Sequence, residues 1–154
     1  MEALEISDRL ALVGLSCATH DEVIRALSDR LQEFGFVRDT FPEAVLDRER
    51  SMPTGLITLA GGVAIPHTDS EHVVRSAIAI GLLDRPVVFK NMAAPEEDVE
   101  VATVLLLAIA EKSAVMEVIA NLADMFLDPK VLEGLKAQKT SSAAALYLSQ
   151  ALKT

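Results

Sequence analysis

Histidine is the residue type in this chain best suited to chemistry at neutral pH, and the chain has three histidines. With an unperturbed pKa of about 6.5, a neutral imidazole offers one ring nitrogen whose lone pair can attack an electrophile. His67 is the strongest candidate because it follows an apolar run that ends in Pro66. Proline fixes φ and removes a backbone donor, so a strand should end there and present His67 at a sheet edge. The pattern at His67 also suits a hydrogen-bonded histidine that only stabilises a turn. His20 lies in the first turn of a predicted helix, and we expect it at the surface.

A metal site is a second interpretation of the same segment. His67, Asp69 and His72 could supply three ligands and leave a fourth position open for a water molecule. The spacing of the two histidines does not match the i, i+4 spacing of the helical zinc motif. We therefore expect no metal and no cofactor.

Two further groups could do acid-base or nucleophilic chemistry. Glu96, Glu97, Asp98 and Glu100 lie in one hydrophilic segment, where no apolar surroundings would raise a carboxyl pKa, so a solvated surface is expected. Cys17 ends an apolar run and has no basic neighbour in sequence to lower the pKa of its thiol, so we expect it to be buried and inert.

The segments that would position His67 alternate between apolar runs of strand length and helical patterns. Thr19 and Glu22 form a capping box before a helix that ends near Gly35. Shorter patterns predict helices at 42–50, 114–127, 129–137 and 142–152. Apolar runs predict strands at 11–17, 56–59, 63–65, 77–83, 87–89 and 99–109. The simplest way to bury them is an α/β or α+β fold with a mixed central β-sheet and helices on both faces.

Length and composition place limits on the class of protein. The chain has 154 residues, 51% of them hydrophobic, and a formal net charge of −9, which predicts one domain, 1–154, with a sizeable core. The acidic balance argues against nucleic-acid binding and favours a partner with a basic face. The longest apolar run is too short to cross a bilayer, and the first residues lack a signal-peptide pattern. Because the chain has one cysteine, an internal disulfide is excluded. We expect a cytoplasmic protein without membrane insertion.

A longer motif surrounds His67. Arg-Glu at 48–49 is followed by Pro-Thr-Gly at 53–55 and by Gly-Val-Ala-Ile-Pro-His-Thr at 62–68. In this pattern the chain resembles the enzyme IIA components of the fructose-mannitol type in the sugar phosphotransferase system, most of all the galactitol-type branch. The likeness covers most of the chain from Thr19 to Leu135 and implies the mannitol/fructose-type enzyme IIA fold.

The resemblance implies a phosphocarrier. His67 would accept a phosphoryl group, usually on Nε2 in this family, from the phosphohistidine of the carrier protein HPr. It would pass the group to a cysteine of an enzyme IIB, which serves the membrane enzyme IIC during sugar uptake. Such transfer depends on in-line positioning and on stabilisation of charge on the equatorial oxygens.

The resemblance also suggests which residues assist His67. Arg48 stands at the position of the family's arginine and is the expected charge stabiliser, because a guanidinium can bind phosphate bidentately. Arg48 could instead only cover the end of a short helix. Thr54 and Thr68 could donate hydroxyls to the phosphoryl oxygens, although each is also an ordinary turn residue.

One position departs from the family pattern. Many mannitol- and fructose-type members carry a second histidine near the start of the helix after the long central strand, where this chain has Val115. Valine neither carries charge nor donates a hydrogen bond. The phosphoryl charge would then be balanced by Arg48, backbone N–H groups, and Lys90 or Arg75.

The resemblance implies a shallow groove near His67 on which HPr and enzyme IIB dock in turn. We expect this groove to be bordered by small apolar residues, among them Val63, Ala93 and Ala94. A regulatory alternative stays open, because nitrogen-type enzyme IIA proteins share the Ile-Pro-His site and use its phosphorylation state to control other proteins.

Overall fold

The computed structural model describes residues 3–152, which form a five-stranded sheet with helices on both of its faces. The strands are β1 (Ala11–Leu15), β2 (Gly55–Thr58), β3 (Gly61–Ala64), β4 (Ala77–Lys90) and β5 (Asp98–Ala108). The helices are α1 (His20–Glu33), α2 (Phe41–Ser51), α3 (Val115–Met125), α4 (Pro129–Lys136) and α5 (Ser141–Leu152). None of the helices within residues 3–152 has the length and apolar character that a membrane span requires.

The sheet is mixed, with the strand order β1-β4-β5-β3-β2. β1 runs parallel to β4 and β3 runs parallel to β5, while β4 pairs with β5 and β2 pairs with β3 in antiparallel fashion. Because β3 and β5 are parallel neighbours, their carboxyl ends lie at the same end of the sheet. The segments that follow these two strands therefore meet there.

Alternation along the strands divides the core between the two faces of the sheet. On one face, α1 and α2 pack against residues such as Phe89 and Leu106. On the other face, α3, α4 and α5 pack against residues such as Ile80 and Leu105. The predicted architecture, a mixed central sheet flanked by helices on both faces, is confirmed.

Local signals explain most element boundaries. The Thr19 hydroxyl accepts a hydrogen bond from the Glu22 backbone N–H at 3.2 Å, which caps α1. After the helix, Gly35 adopts a φ of +78°, a conformation that glycine tolerates best. Pro42 lies in the first turn of α2, where its missing N–H leaves no helical hydrogen bond unmade.

The segments 77–83 and 87–89, predicted as two strands, form the single strand β4. Its register against β5 shifts between Leu82 and Val87. Pro86, exposed in the intervening stretch, cannot donate to the ladder, so the pairing is interrupted without ending the strand.

Candidate functional site

His67 lies just beyond the carboxyl end of β3. Ile65 and Pro66, the residues before it, are buried, and the Pro66 carbonyl accepts a hydrogen bond from the Leu107 backbone N–H at 3.0 Å. The pairing with β5 therefore continues past β3 and fixes the backbone that carries the imidazole. Because the residues immediately before His67 are buried and hydrogen-bonded, the positions that its side chain can adopt are limited.

The ring of His67 is oriented by its own backbone. Nδ1 lies 2.9 Å from the Ile65 carbonyl oxygen, and since a carbonyl only accepts, Nδ1 carries the proton in this contact. Burial of the half-buried ring is the largest cause that lowers the pKa of His67, and the Arg48 charge lowers it further. The hydrogen bond to Ile65 and the charge of Asp69 oppose these effects. The ring is thus neutral near pH 7, with its lone pair on Nε2.

Arg48 reaches the same place from α2. It lies in the last turn of that helix, and β2, which follows, pairs with β3 so that Gly55 stands opposite Ala64. This pairing brings the end of α2 beside the end of β3. Nη1 of Arg48 donates to Asp69 Oδ1 at 3.3 Å, while its buried Nε has no hydrogen-bond partner among the described residues.

His67 and Arg48 share the walls of two adjoining cavities. The first, of about 360 Å³, is bordered mostly by polar or charged residue types; it is lined by Arg48, His67, Thr68, Asp69, Ser70, Glu71, Lys112, Val115 and Met116. The second, of about 350 Å³, is more apolar; it is lined by Arg48, Ser51, Met52, Pro53, Thr54, His67, Met92, Pro95, Met116 and Ile119. The imidazole and the guanidinium thus stand between a charged recess and an apolar groove.

The two threonines differ in what they contact. Thr68 is buried in the wall of the charged recess. Thr54 instead donates its hydroxyl to Glu49 Oε1 at 2.9 Å and its backbone N–H to Glu49 Oε2 at 2.8 Å. The Thr54 hydroxyl is therefore engaged by Glu49, and its service to the phosphoryl oxygens stays a prediction.

Glu49, the second residue of the Arg-Glu motif at 48–49, is a buried carboxyl group beside the site to which the sequence assigned no role. Only 5% of the residue is exposed, and this burial raises the pKa of Glu49 to about 7 although the two hydrogen bonds from Thr54 act to lower it. The contact ties α2 to the loop that enters β2. It thereby fixes the position of Arg48, the neighbour of Glu49 in the chain.

The cations near the imidazole differ from those predicted. Lys90 pairs with Asp98, and Arg75 lies over the Phe36 ring and donates to the Phe34 carbonyl. Neither residue lines the two cavities. Lys112 does line the charged recess, together with Val115.

Lys112 could have been found only through the sheet topology. It follows β5, and the sequence does not reveal that β5 runs parallel beside β3.

The rim of the apolar groove is also different from the one expected. Val63 is fully buried in the core, because it points to the face that α3, α4 and α5 cover, and Ala93 and Ala94 line neither cavity. The side chains that are exposed there are larger. They are Met52, Met92 and Met116, of which Met116 is 71% exposed.

The other candidate groups contact different partners. His72 Nδ1 lies 2.8 Å from the Thr40 hydroxyl, and Asp69 pairs with Arg48. Within residues 3–152 no group of three or more His, Cys, Asp or Glu side chains is arranged to hold a metal ion. His20 lies 2.8 Å from an Asp21 carboxylate oxygen. Cys17 is partly exposed rather than buried, and desolvation raises the pKa of its thiol.

Comparison with known proteins gives one consistent result. Residues 6–151 match the family model described as phosphoenolpyruvate-dependent sugar phosphotransferase system, EIIA 2. The galactitol-specific EIIA component of Escherichia coli strain K12 is 29% identical over 122 residues, which cover 79% of this chain and 81% of that protein. The mannitol-specific EIICBA component of the same strain is 30% identical over 140 residues, 88% of this chain but 20% of that protein.

The fold has solved relatives as well. In the complex of enzyme IIA Mtl with phosphorylated enzyme IIB Mtl from Escherichia coli, the matching chain superposes with a TM-score of 0.78 at 22% identity. The match covers 96% of this chain and 99% of that chain. At this level of identity the likeness establishes the fold, which is the one expected from the sequence.

Proposed function

This chain belongs to the EIIA 2 family of the phosphoenolpyruvate-dependent sugar phosphotransferase system, and on that premise we propose that His67 is its phosphoryl acceptor. His67 receives the group from phosphorylated HPr and passes it to a cysteine of an enzyme IIB. The observation that carries this proposal is the contact of Nδ1 with the Ile65 carbonyl. With Nδ1 occupied and the ring neutral, Nε2 keeps a free lone pair beside the charged recess, which Arg48 lines.

The transfer itself requires one bond to form and one to break. The Nε2 lone pair attacks phosphorus in line, the bond between phosphorus and the donor nitrogen breaks, and its electron pair returns to that nitrogen. The Nδ1 proton stays on the ring, where the Ile65 carbonyl stabilises the positive charge that develops. In the second transfer the thiolate sulfur of enzyme IIB attacks phosphorus, and the electron pair returns to Nε2.

Arg48 has the position and the free donors to bind the phosphoryl oxygens. Its buried Nε lacks a partner in the described part of the chain, and its contact with Asp69 is long and partly exposed. A phosphoryl group carries a charge of about −1.5 to −2 near neutral pH, so it competes well with a single exposed carboxylate for the guanidinium. Thr68, in the same wall, is the hydroxyl that supports these contacts.

The apolar groove is the surface on which we place both partners. Met52, Met92 and Met116 border it next to His67, and methionine side chains adapt to surfaces of different shape. HPr and enzyme IIB must use overlapping surfaces in turn, since each has to reach the same Nε2. Both complexes should therefore be weak and short-lived.

Transport is the cellular role that the similarities favour. The relatedness to a galactitol-specific EIIA component supports uptake of galactitol or a related polyol through a membrane enzyme IIC. We propose that residues 1–154 act as one EIIA unit in the cytoplasm, where HPr is phosphorylated.

Radioactive phosphoenolpyruvate, with purified enzyme I and HPr, tests the acceptor. Wild type should take up acid-labile label and His67→Gln should take up none, while His72→Gln, which alters a nearby histidine outside the cavities, should retain it. Label on folded His67→Gln, or none on folded wild type, would contradict the proposal.

A further inference from the structure

We propose that Lys112 is a second phosphoryl ligand, whose ammonium group binds the oxygens of the group carried by His67. This inference rests on the proposed function, because it requires a phosphoryl group on His67. Lys112 lies outside the sequence motif around His67, and on a chain segment separate from those that carry Arg48 and His67.

The position of Lys112 follows from the sheet. It begins a short 3-10 turn, Lys112–Ala114, that connects β5 to α3, and buried Ala114 anchors this turn. β5 lies parallel to β3, so the turn emerges beside the end of β3 and His67. Lys112 consequently lines the same charged recess as His67 and Arg48.

The charges around the recess leave a place for a second cation. Asp69 and Glu71 line it as well, and Asp69 already engages the Arg48 guanidinium. A phosphoryl group adds about −1.5 to −2 of charge, more than one partly engaged guanidinium can balance. Val115, in the same wall, supplies neither charge nor donor.

Lys112 is free to respond to such a charge. No ion pair formed within residues 3–152 involves its ammonium group, and the side chain is exposed. Its flexible stem lets the ammonium follow the phosphoryl group as the group enters and leaves. Docking of HPr or enzyme IIB around His67 would exclude water from the recess and strengthen the attraction.

Single-turnover phosphorylation by phospho-HPr, measured over a range of phospho-HPr concentrations, tests the proposal in three variants. Lys112→Met should lower the rate at saturation roughly tenfold and shift the equilibrium distribution of label back toward HPr. Lys112→Arg keeps the positive charge and should restore most of the rate and most of the equilibrium distribution. Lys139→Met is the control, because Lys139 is exposed and lines neither cavity. It should match wild type.

Two results would overturn the role of Lys112 while leaving His67 in place. One is a saturating rate and equilibrium for Lys112→Met equal to those of Lys139→Met. The other is a change confined to the concentration of HPr needed for half-saturation, which would make Lys112 a docking charge only. Failure of wild type to accept label, in contrast, would contradict the phosphocarrier function itself.

Discussion

At the scale of single residues, the Ile65 carbonyl and Arg48 set the chemical state of His67. The carbonyl holds the proton on Nδ1, and burial together with the Arg48 charge lowers the pKa of the ring. A lowered pKa keeps the ring of His67 unprotonated at pH values where a free imidazole would begin to gain a proton. In the function we propose, one guanidinium therefore acts both on the ring of His67 and on the phosphoryl group that the ring accepts.

Replacement of Arg48 by Gln should reveal both effects. Loss of the positive charge should raise the pKa of His67, because a nearby cation disfavours the protonated ring, and should slow phosphoryl acceptance by about 100-fold. NMR titration of the histidine side chains measures the pKa of His67, and single-turnover labelling measures the rate of phosphoryl acceptance. An unchanged titration of His67 together with a wild-type rate would reduce Arg48 to a structural residue.

Glu49 gives the protein a pH-dependent stability that its surface carboxylates do not explain. Its pKa rises from 4.5 in the unfolded reference to about 7 in the folded protein, so the folded state binds the proton more tightly. The free energy of unfolding should therefore fall as the pH rises from 4.5 to 7, by up to about 3 kcal/mol. Glutamine has a similar shape and does not titrate, so Glu49→Gln should remove this fall in the free energy of unfolding.

Chemical denaturation at a series of pH values measures this difference between wild type and Glu49→Gln. Glu96→Gln, which removes one exposed carboxylate, is the control for the change in net charge. Parallel stability curves for wild type and Glu49→Gln from pH 4.5 to 7 would show that the Glu49 carboxyl is not the group responsible.

At the scale of elements, the site depends on how closely β3 lies against β5. A Cβ atom added to Gly62 would collide with the Glu100 carbonyl oxygen of β5 and approach the Val99 side chain to 2.9 Å. Glycine at this position is thus required by the close approach of two strands, and not by a turn. The same pairing aligns the segment with His67 and the segment with Lys112.

Gly62→Ala should consequently lower the free energy of unfolding by about 3 kcal/mol and slow phosphoryl acceptance, because β3 must move away from β5. Gly14→Ala is the contrast, since Gly14 has a φ of +72° and open space around it. That change should cost only about 1 to 2 kcal/mol. Equal stability of the two variants in chemical denaturation would show that the close approach is not needed.

The sequence predicted the secondary-structure elements and the fold more completely than the contacts around His67. Alternating apolar runs and the capping residues Thr19 and Glu22 are local signals, and they predicted the layered fold. Lys112 and the hydrogen bonds between Thr54 and Glu49 depend on strand pairing and on which side chains become buried. Such facts are set by tertiary contacts and are not encoded in the spacing of residues in one segment.

At the scale of the whole molecule, the charge distribution is uneven. The formal net charge is −9, yet two cations, Arg48 and Lys112, line the recess beside His67 and match the number of its carboxylates, Asp69 and Glu71. In the function we propose, the overall field attracts a partner with a basic face, and the local cations receive the anionic group that this partner brings. Attraction of the partner and binding of the phosphoryl group would then be separated in space.

The ratio kcat/KM for phospho-HPr should therefore fall as ionic strength rises. Between about 50 and 500 mM NaCl we expect a decrease of severalfold, because salt screens the long-range attraction between the two proteins. The saturating rate should change much less, since the recess is covered in the complex. A kcat/KM that is constant or rises with salt would contradict electrostatic steering.

The nitrogen atom that carries the phosphoryl group is the most direct test of the account as a whole. Protein labelled with 15N in its histidine rings, phosphorylated through enzyme I and HPr, should show phosphorus bonded to Nε2 of His67 in the NMR spectrum, with the proton retained on Nδ1. Phosphorus on Nδ1 of His67, or on another histidine, would contradict the orientation of the ring on which the proposed function rests.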